Sequence, residues 1–200
     1  RSSDLSCGCV TVVPRTADGS ERTRPVCRAT SRSMENDLLR LRLNARGEIT
    51  AIHDKKSGRQ WAAGPCNRFA LYKSVPAQWD AWDIDSTYMS SPVEIQGKAT
   101  IAVRESSELR AVVSIPRTIN KSTLRQDIIL RAGDRRVDFK TTIDWHEHHK
   151  LLKVCFPVDV HADEAVHEIQ FGHLRRPTHF SRPFDRDRFE VCAHKWSALE

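Results

Sequence analysis

From residue 137 to 145 the side chains alternate without a break: Val137, Phe139, Thr141, Ile143 and Trp145 fall on one side, and Asp138, Lys140, Thr142 and Asp144 on the other. A period of two sends successive side chains to opposite faces of an extended chain, so this stretch can bury one face only as a strand in a sheet. Residues 39–43, Leu-Arg-Leu-Arg-Leu, repeat the pattern, and Asn44-Ala45-Arg46-Gly47 supplies a turn before the apolar residues 49–52. Together they predict a β-hairpin.

The same signals recur along the chain. Residues 67–72, 93–103, 109–115, 123–131, 151–160, 166–171 and 188–194 read as further strands. Asp54 to Gly58, Glu105 to Glu108, the stretch 116–122 and Ala132-Gly133-Asp134-Arg135 read as the breaks between them. No window carries an apolar period of about 3.6 with caps, and strands spaced by roughly 8 to 15 residues suit an all-β, antiparallel sandwich of two packed sheets. Residues 1–33 are rich in Ser, Thr and Arg, with one apolar patch at Cys9-Val10-Thr11-Val12-Val13. They predict one short strand and a flexible linker, leaving 34–200 to form the sandwich.

Charge narrows the function classes. The formal net charge is +6, but 32 basic residues are interleaved with 26 acidic ones, which is not the clustered patch of a nucleic-acid reader. No run of about 18 apolar residues occurs, and the first residues lack the order of a secretory signal, so neither a membrane span nor export is expected. Six cysteines are scattered, with only Cys7 and Cys9 close together. That spacing suits neither a structural zinc site nor a disulfide scaffold, and free thiols in a reducing, cytoplasmic setting are expected, with Cys155 and Cys192 buried.

Three stretches carry candidate chemistry. In Trp79-Asp80-Ala81-Trp82-Asp83-Ile84-Asp85, three carboxylates and two indoles fall in seven residues without strand alternation. Carboxylates accept hydroxyl protons and flat apolar rings cover sugar C–H faces, so the run suits a loop that contacts a polyhydroxylated ligand. A turn anchored by two tryptophans is the plain structural alternative. An acid/base pair drawn from Asp80, Asp83 and Asp85 would need two carboxyl groups roughly 5 to 9 Å apart across a substrate, which neighbours in one loop seldom provide. His146, His148 and His149 lack the i, i+4 spacing of a zinc-binding helix, since Lys150 stands where the second histidine would be. On a strand, His146 and His148 would share a face, with His173 or His179 as a third ligand, but exposed polar residues at a strand end are the commoner arrangement. The stretch 170–179, with Arg175, Arg176 and His179, reads as a polar loop after a strand, where a guanidinium can bind a hydroxyl or a carboxylate in paired fashion.

Taken in order, Val75-Pro76-Ala77-Gln78-Trp79-Asp80-Ala81-Trp82-Asp83, then Asp144-Trp145-His146-Glu147 with Leu151-Leu152-Lys153-Val154, then Glu168-Ile169-Gln170-Phe171-Gly172 through Arg176-Pro177-Thr178-His179 to Phe189-Glu190-Val191-Cys192-Ala193-His194-Lys195-Trp196, closely resemble the C-terminal β-domain of glycoside hydrolase family 38 α-mannosidases. The likeness is to the bacterial and cytosolic class II branch and runs from about residue 34 to 200. It implies a galactose-mutarotase-like sandwich and a retaining exo-α-mannosidase that uses zinc, or cobalt in some members. It also implies that the nucleophile, the general acid and the metal ligands lie in a preceding barrel, so that no catalytic and no metal-ligating residue is expected here. The chain is then expected to be a truncated, inactive piece that meets its own barrel, a mannose-containing oligosaccharide and, in oligomers, further copies. By the same resemblance Trp79, Asp80, Asp83, Arg176 and His179 are the substrate-contacting positions. A non-catalytic carbohydrate-binding domain and a purely structural sandwich are the alternatives, distinguished by mannose binding without turnover and by neither.

Overall fold

The computed structural model describes residues 26–80 and 82–199. The strands are β1 (Arg28–Ala29), β2 (Ser33–Glu35), β3 (Leu39–Leu43), β4 (Ile49–Asp54), β5 (Arg68–Lys73), β6 (Pro92–Val93), β7 (Ala102–Ser106), β8 (Arg110–Ile119), β9 (Ser122–Arg131), β10 (Val137–Asp144), β11 (Lys150–Cys155), β12 (Glu164–Ile169), β13 (Gly172–Pro177) and β14 (Ser197–Leu199). Two short 3-10 turns, Tyr88–Ser90 and Pro183–Arg188, are the helical pieces among the described residues. Every strand pairing is antiparallel.

Two four-stranded sheets, β1-β2-β3-β4 and β10-β9-β8-β7, make the sandwich. The alternation seen in sequence builds its core directly: Leu39, Leu41 and Leu43 of β3 point inward while Arg40 and Arg42 face solvent. Opposite them lie Ala111, Val113 and Ile115 of β8 and Ile128 and Leu130 of β9, with Met34, Ile49, Cys27 and Cys66 completing the cluster. Burying one such aliphatic side chain contributes about 1.5–3 kcal/mol, so this layer dominates the stability of the fold. Asn36 is fully buried at its edge. Its amide nitrogen donates to the Arg131 and Asp134 carbonyls, and its oxygen accepts from the Leu38 and Leu39 amides, so the polar group is satisfied while it joins the two sheets.

A three-stranded sheet, β11-β5-β6, continues from one end of the sandwich around Leu71, Ile119 and Leu124. A second, β13-β12-β14, carries one well-buried aliphatic, Val166, on its strands.

The structure corrects several sequence expectations. The linker expected through residue 33 ends sooner: Cys27 is fully buried and β1 pairs with β2, while the predicted strand at residues 9–13 lies outside the described residues. The strand expected over 93–103 is broken, because Gly97 takes φ +149 and sits so close to Thr118 that straight pairing is lost. Pro116 was expected to end a strand, yet β8 runs through it to Ile119. A residue's N–H and C=O point to the same side of a strand, and the Pro116 carbonyl accepts from Thr100 on the irregular β7 side, so the missing donor costs the β8–β9 ladder nothing. The stretch after residue 171, expected as a loop, is β13, and Arg176 lies on that strand opposite Ala165. The final strand is β14 rather than residues 188–194. A 3-10 turn displaces its start: Pro183 presets the first turn, and the Asp185 carboxylate accepts from the Arg182 amide at 2.9 Å.

The four cysteines among the described residues are free, as expected. The expected burial of Cys155 and Cys192 does not hold: Cys155 is half-buried and Cys192 exposed, while Cys27 and Cys66 lie in the core. Desolvation pushes both core thiols above the ordinary thiol pKa, Cys27 with help from the Asp37 charge. No helix among the described residues is long and apolar enough to cross a membrane.

Candidate substrate-contact surface

The run from Trp79 to Asp85 leaves β5 as a loop and returns through the 3-10 turn at Tyr88. Trp79 takes φ +56, a left-handed conformation uncommon for a bulky residue. Its carbonyl accepts the amides of Trp82 at 2.8 Å and Asp83 at 2.9 Å, so the tight turn holds itself in place. The turn leaves both indoles in solvent, with Trp79 72% and Trp82 90% exposed. Apolar rings of that size contribute nothing to this fold's own core.

His149 grips the loop twice, through its carbonyl to the Ser74 amide at 3.0 Å and through Nδ1, 3.5 Å from the Asp80 carboxylate. The histidine cluster that sequence placed apart from the tryptophans is therefore beside them. Glu147 of the same cluster accepts from the Lys121 amide at 2.6 Å and the Ser122 hydroxyl at 3.1 Å, which closes the β8–β9 hairpin. His146 lies 3.0 Å from Asp144. Among the described residues no three His, Cys, Asp or Glu side chains are placed to hold one metal ion.

Asp85 accepts from the Thr87 amide and hydroxyl, both at 2.8 Å, and these bonds hold its carboxyl below the usual carboxylate pKa. A general acid needs the opposite shift, so Asp85 is a fixed acceptor and not a proton donor. Asp83 and Asp85 face Asp187 and Phe189 across a shallow depression of about 340 Å³. Sequence reading gave no role to Asp187, which lies more than a hundred residues from Asp83 and Asp85.

Arg176 and His179 are placed differently. Arg176 is half-buried, and its Nη1 donates to the Cys192 carbonyl at 3.2 Å, bracing the segment that precedes β14. His179 is exposed, its Nδ1 2.8 Å from the Ser181 hydroxyl. Neither lines the depression beside Asp83. What joins the two regions is Glu190, a residue without a role in the sequence reading. It accepts from the Tyr88 hydroxyl at 2.6 Å and pairs with the Lys153 ammonium at 2.5 Å. Burial first, and then the bond and charge of Glu190, push the Tyr88 phenol well above its ordinary pKa. The only advance signal was Glu190's place in the aromatic block beginning at Phe189.

Comparison with known proteins identifies the family. Residues 34–200 match the profile described as "Glycosyl hydrolases family 38 C-terminal domain". The chain is 39% identical over 171 residues to alpha-mannosidase 2C1 of Homo sapiens, a match covering 84% of this chain and 16% of that protein. It is 33% identical over 174 residues to alpha-mannosidase G of Dictyostelium discoideum, covering 83% of this chain and 16% of the relative. The chain thus spans a small part of the length of these relatives. The crystal structure of an alpha-mannosidase from Enterococcus faecalis V583 shares the fold, with a TM-score of 0.61 and 16% identity over 82% of this chain and 21% of that one. With a family profile matching from Met34 onward over an antiparallel sandwich, the chain belongs to glycosyl hydrolase family 38, as a C-terminal domain of the α-mannosidase type.

Proposed function

We propose that this chain is the β-domain of a retaining exo-α-mannosidase that removes terminal α-D-mannosyl residues from oligosaccharides in the cytoplasm. In this reading the nucleophile, the acid/base and a zinc or cobalt ion belong to a barrel domain of the same enzyme, and the 200-residue chain is inactive by itself. Its own contribution is a wall. Trp79 covers a sugar C–H face, Asp80 and Asp83 accept hydroxyl protons, and Arg176 with His179 forms a second contact nearer β14.

One observation carries the proposal: two indoles, 72% and 90% exposed, are held outward by a self-hydrogen-bonded turn with a strained tryptophan at its start. Backbone strain of this kind costs about 1–3 kcal/mol and persists where the surroundings hold it for a purpose. The names of the relatives supply the substrate class.

The test is Trp79→Ala and Arg176→Ala in a complete α-mannosidase carrying this domain. An aromatic contact worth about 1.4 kcal/mol corresponds to a tenfold fall in kcat/KM for a mannoside. Unchanged kcat/KM in both variants would remove this surface from the substrate site.

A further inference from the structure

Arg117 projects from β8 toward β5. Its guanidinium lies over the Phe69 ring, 4.7 Å from the centroid, and its Nη2 donates to the Arg46 carbonyl at 3.1 Å. Its Nε is buried with no hydrogen-bond partner. The carboxylate that acts on it electrostatically, Glu48, accepts from the Asn44 amide nitrogen at 2.7 Å and makes no ion pair with it. The β3–β4 turn is pressed onto this group: a Cβ on Gly47 would stand 2.7 Å from Ile115 Cδ1 and 3.4 Å from Arg117 Nη2. A half-buried guanidinium whose Nε is shut off from water and which has no paired anion is a costly arrangement unless something supplies the counter-charge.

The space in front of it is a cleft of about 550 Å³ bounded by that turn, β5, β6 and the end of β8. Arg46, Arg68, Lys98 and Arg117 line it against two carboxylates, Glu48 and Glu94. The described ion pairs elsewhere in the fold involve other cations, such as Arg40 with Glu35 and Arg110 with Glu105, so the cleft retains an excess of two positive charges. A phosphomonoester carries about −1.5 to −2 at neutral pH and offers three acceptor oxygens, which matches that excess in charge and a guanidinium in geometry.

We infer that this cleft is a binding site for a phosphomonoester group on a small polar molecule, with Arg117 as the deep contact and Arg46, Arg68 and Lys98 as the outer ones. The site is separate from the proposed mannoside surface, since none of Trp79, Asp80, Asp83, Arg176 and His179 lines it.

The experiment is calorimetric titration of the purified chain with inorganic phosphate, repeated with acetate. Saturable binding of phosphate at one site is expected, weakened about tenfold by Arg117→Gln through loss of a charge-assisted pair. Arg68→Gln and Lys98→Gln change exposed residues, keep the test valid if Arg117→Gln does not fold, and are each expected to weaken binding about threefold. Arg136→Gln, outside the cleft, is expected to leave it unchanged. Absence of saturable binding, binding that none of the cleft variants alters, or acetate bound as tightly as phosphate would each overturn the inference, the last by assigning the cleft to carboxylates.

Discussion

The Tyr88 hydroxyl donates to Glu190 at 2.6 Å, joining the end of the tryptophan loop to the segment between β13 and β14. The phenol packs edge-on against Tyr72, with centroids 5.0 Å apart, and tilts against Phe189 at 6.3 Å. Lys153 completes the junction from β11, with its ammonium on the second Glu190 oxygen and 5.5 Å from the Tyr88 ring centre. Two surfaces that are far apart in sequence therefore share one anchor. Their relative placement depends on it.

Removing that anchor tests its weight. Glu190→Ala leaves a buried phenol without its acceptor and an ammonium without its partner, and is expected to cost about 1–3 kcal/mol in urea denaturation. Glu190→Gln keeps an acceptor for Tyr88 and loses the charge opposite Lys153, so it should cost less than the alanine variant.

Gly97 is expected to tolerate no side chain. A Cβ there would stand 2.3 Å from the Thr118 carbonyl oxygen, at φ +149, with backbone rather than a flexible side-chain end in the way. Gly97→Ala should cost about 3 kcal/mol, the upper end of ordinary point substitutions, read as a lower denaturation midpoint. Gly58→Ala, at φ +71 with nothing within 4 Å of its Cβ, should show the smaller cost of backbone strain alone.

His167 makes the pairing of β14 sensitive to mild acid. Its Nδ1 lies 2.9 Å from the Ser197 hydroxyl, and burial, with the Arg176 charge, lowers its pKa below the ordinary 6.5. A lowered pKa means the fold favours neutral imidazole, so this stability is complete above the ordinary value and is lost as pH falls through the folded one. Amide exchange at residues 197–199, corrected for its intrinsic pH dependence, should therefore speed up as pH falls below the ordinary imidazole value of about 6.5. His167→Gln should remove that difference.

Strand β3 was legible because one face meets a core and the other meets water, and alternation records that directly. Strand β10 was legible as a strand from the same pattern, but only Val137 and Phe139 of its apolar face pack on the core, while Thr141 and Ile143 are exposed. Passage of β8 through Pro116 was not legible, because it depends on which neighbour the missing N–H would have faced. The exposed tryptophans announced themselves by breaking alternation. Asp187 and Glu190 did not, since their roles come from contacts with residues about a hundred positions away, and nothing local marks such a pair. Arg176 read as a loop guanidinium free to meet a ligand; its place on β13 and its bond to the Cys192 carbonyl follow from a hairpin whose tip, Phe171 at φ +61, carries no turn-forming residue type to reveal it.

The central claim, that this domain shapes a mannoside site whose reacting groups lie elsewhere in the enzyme, meets its most direct test in the release of p-nitrophenol from p-nitrophenyl α-D-mannopyranoside by the purified chain. No release above the uncatalysed blank is expected, with or without added zinc or cobalt. Turnover that rises in proportion to the concentration of the folded chain would contradict the account.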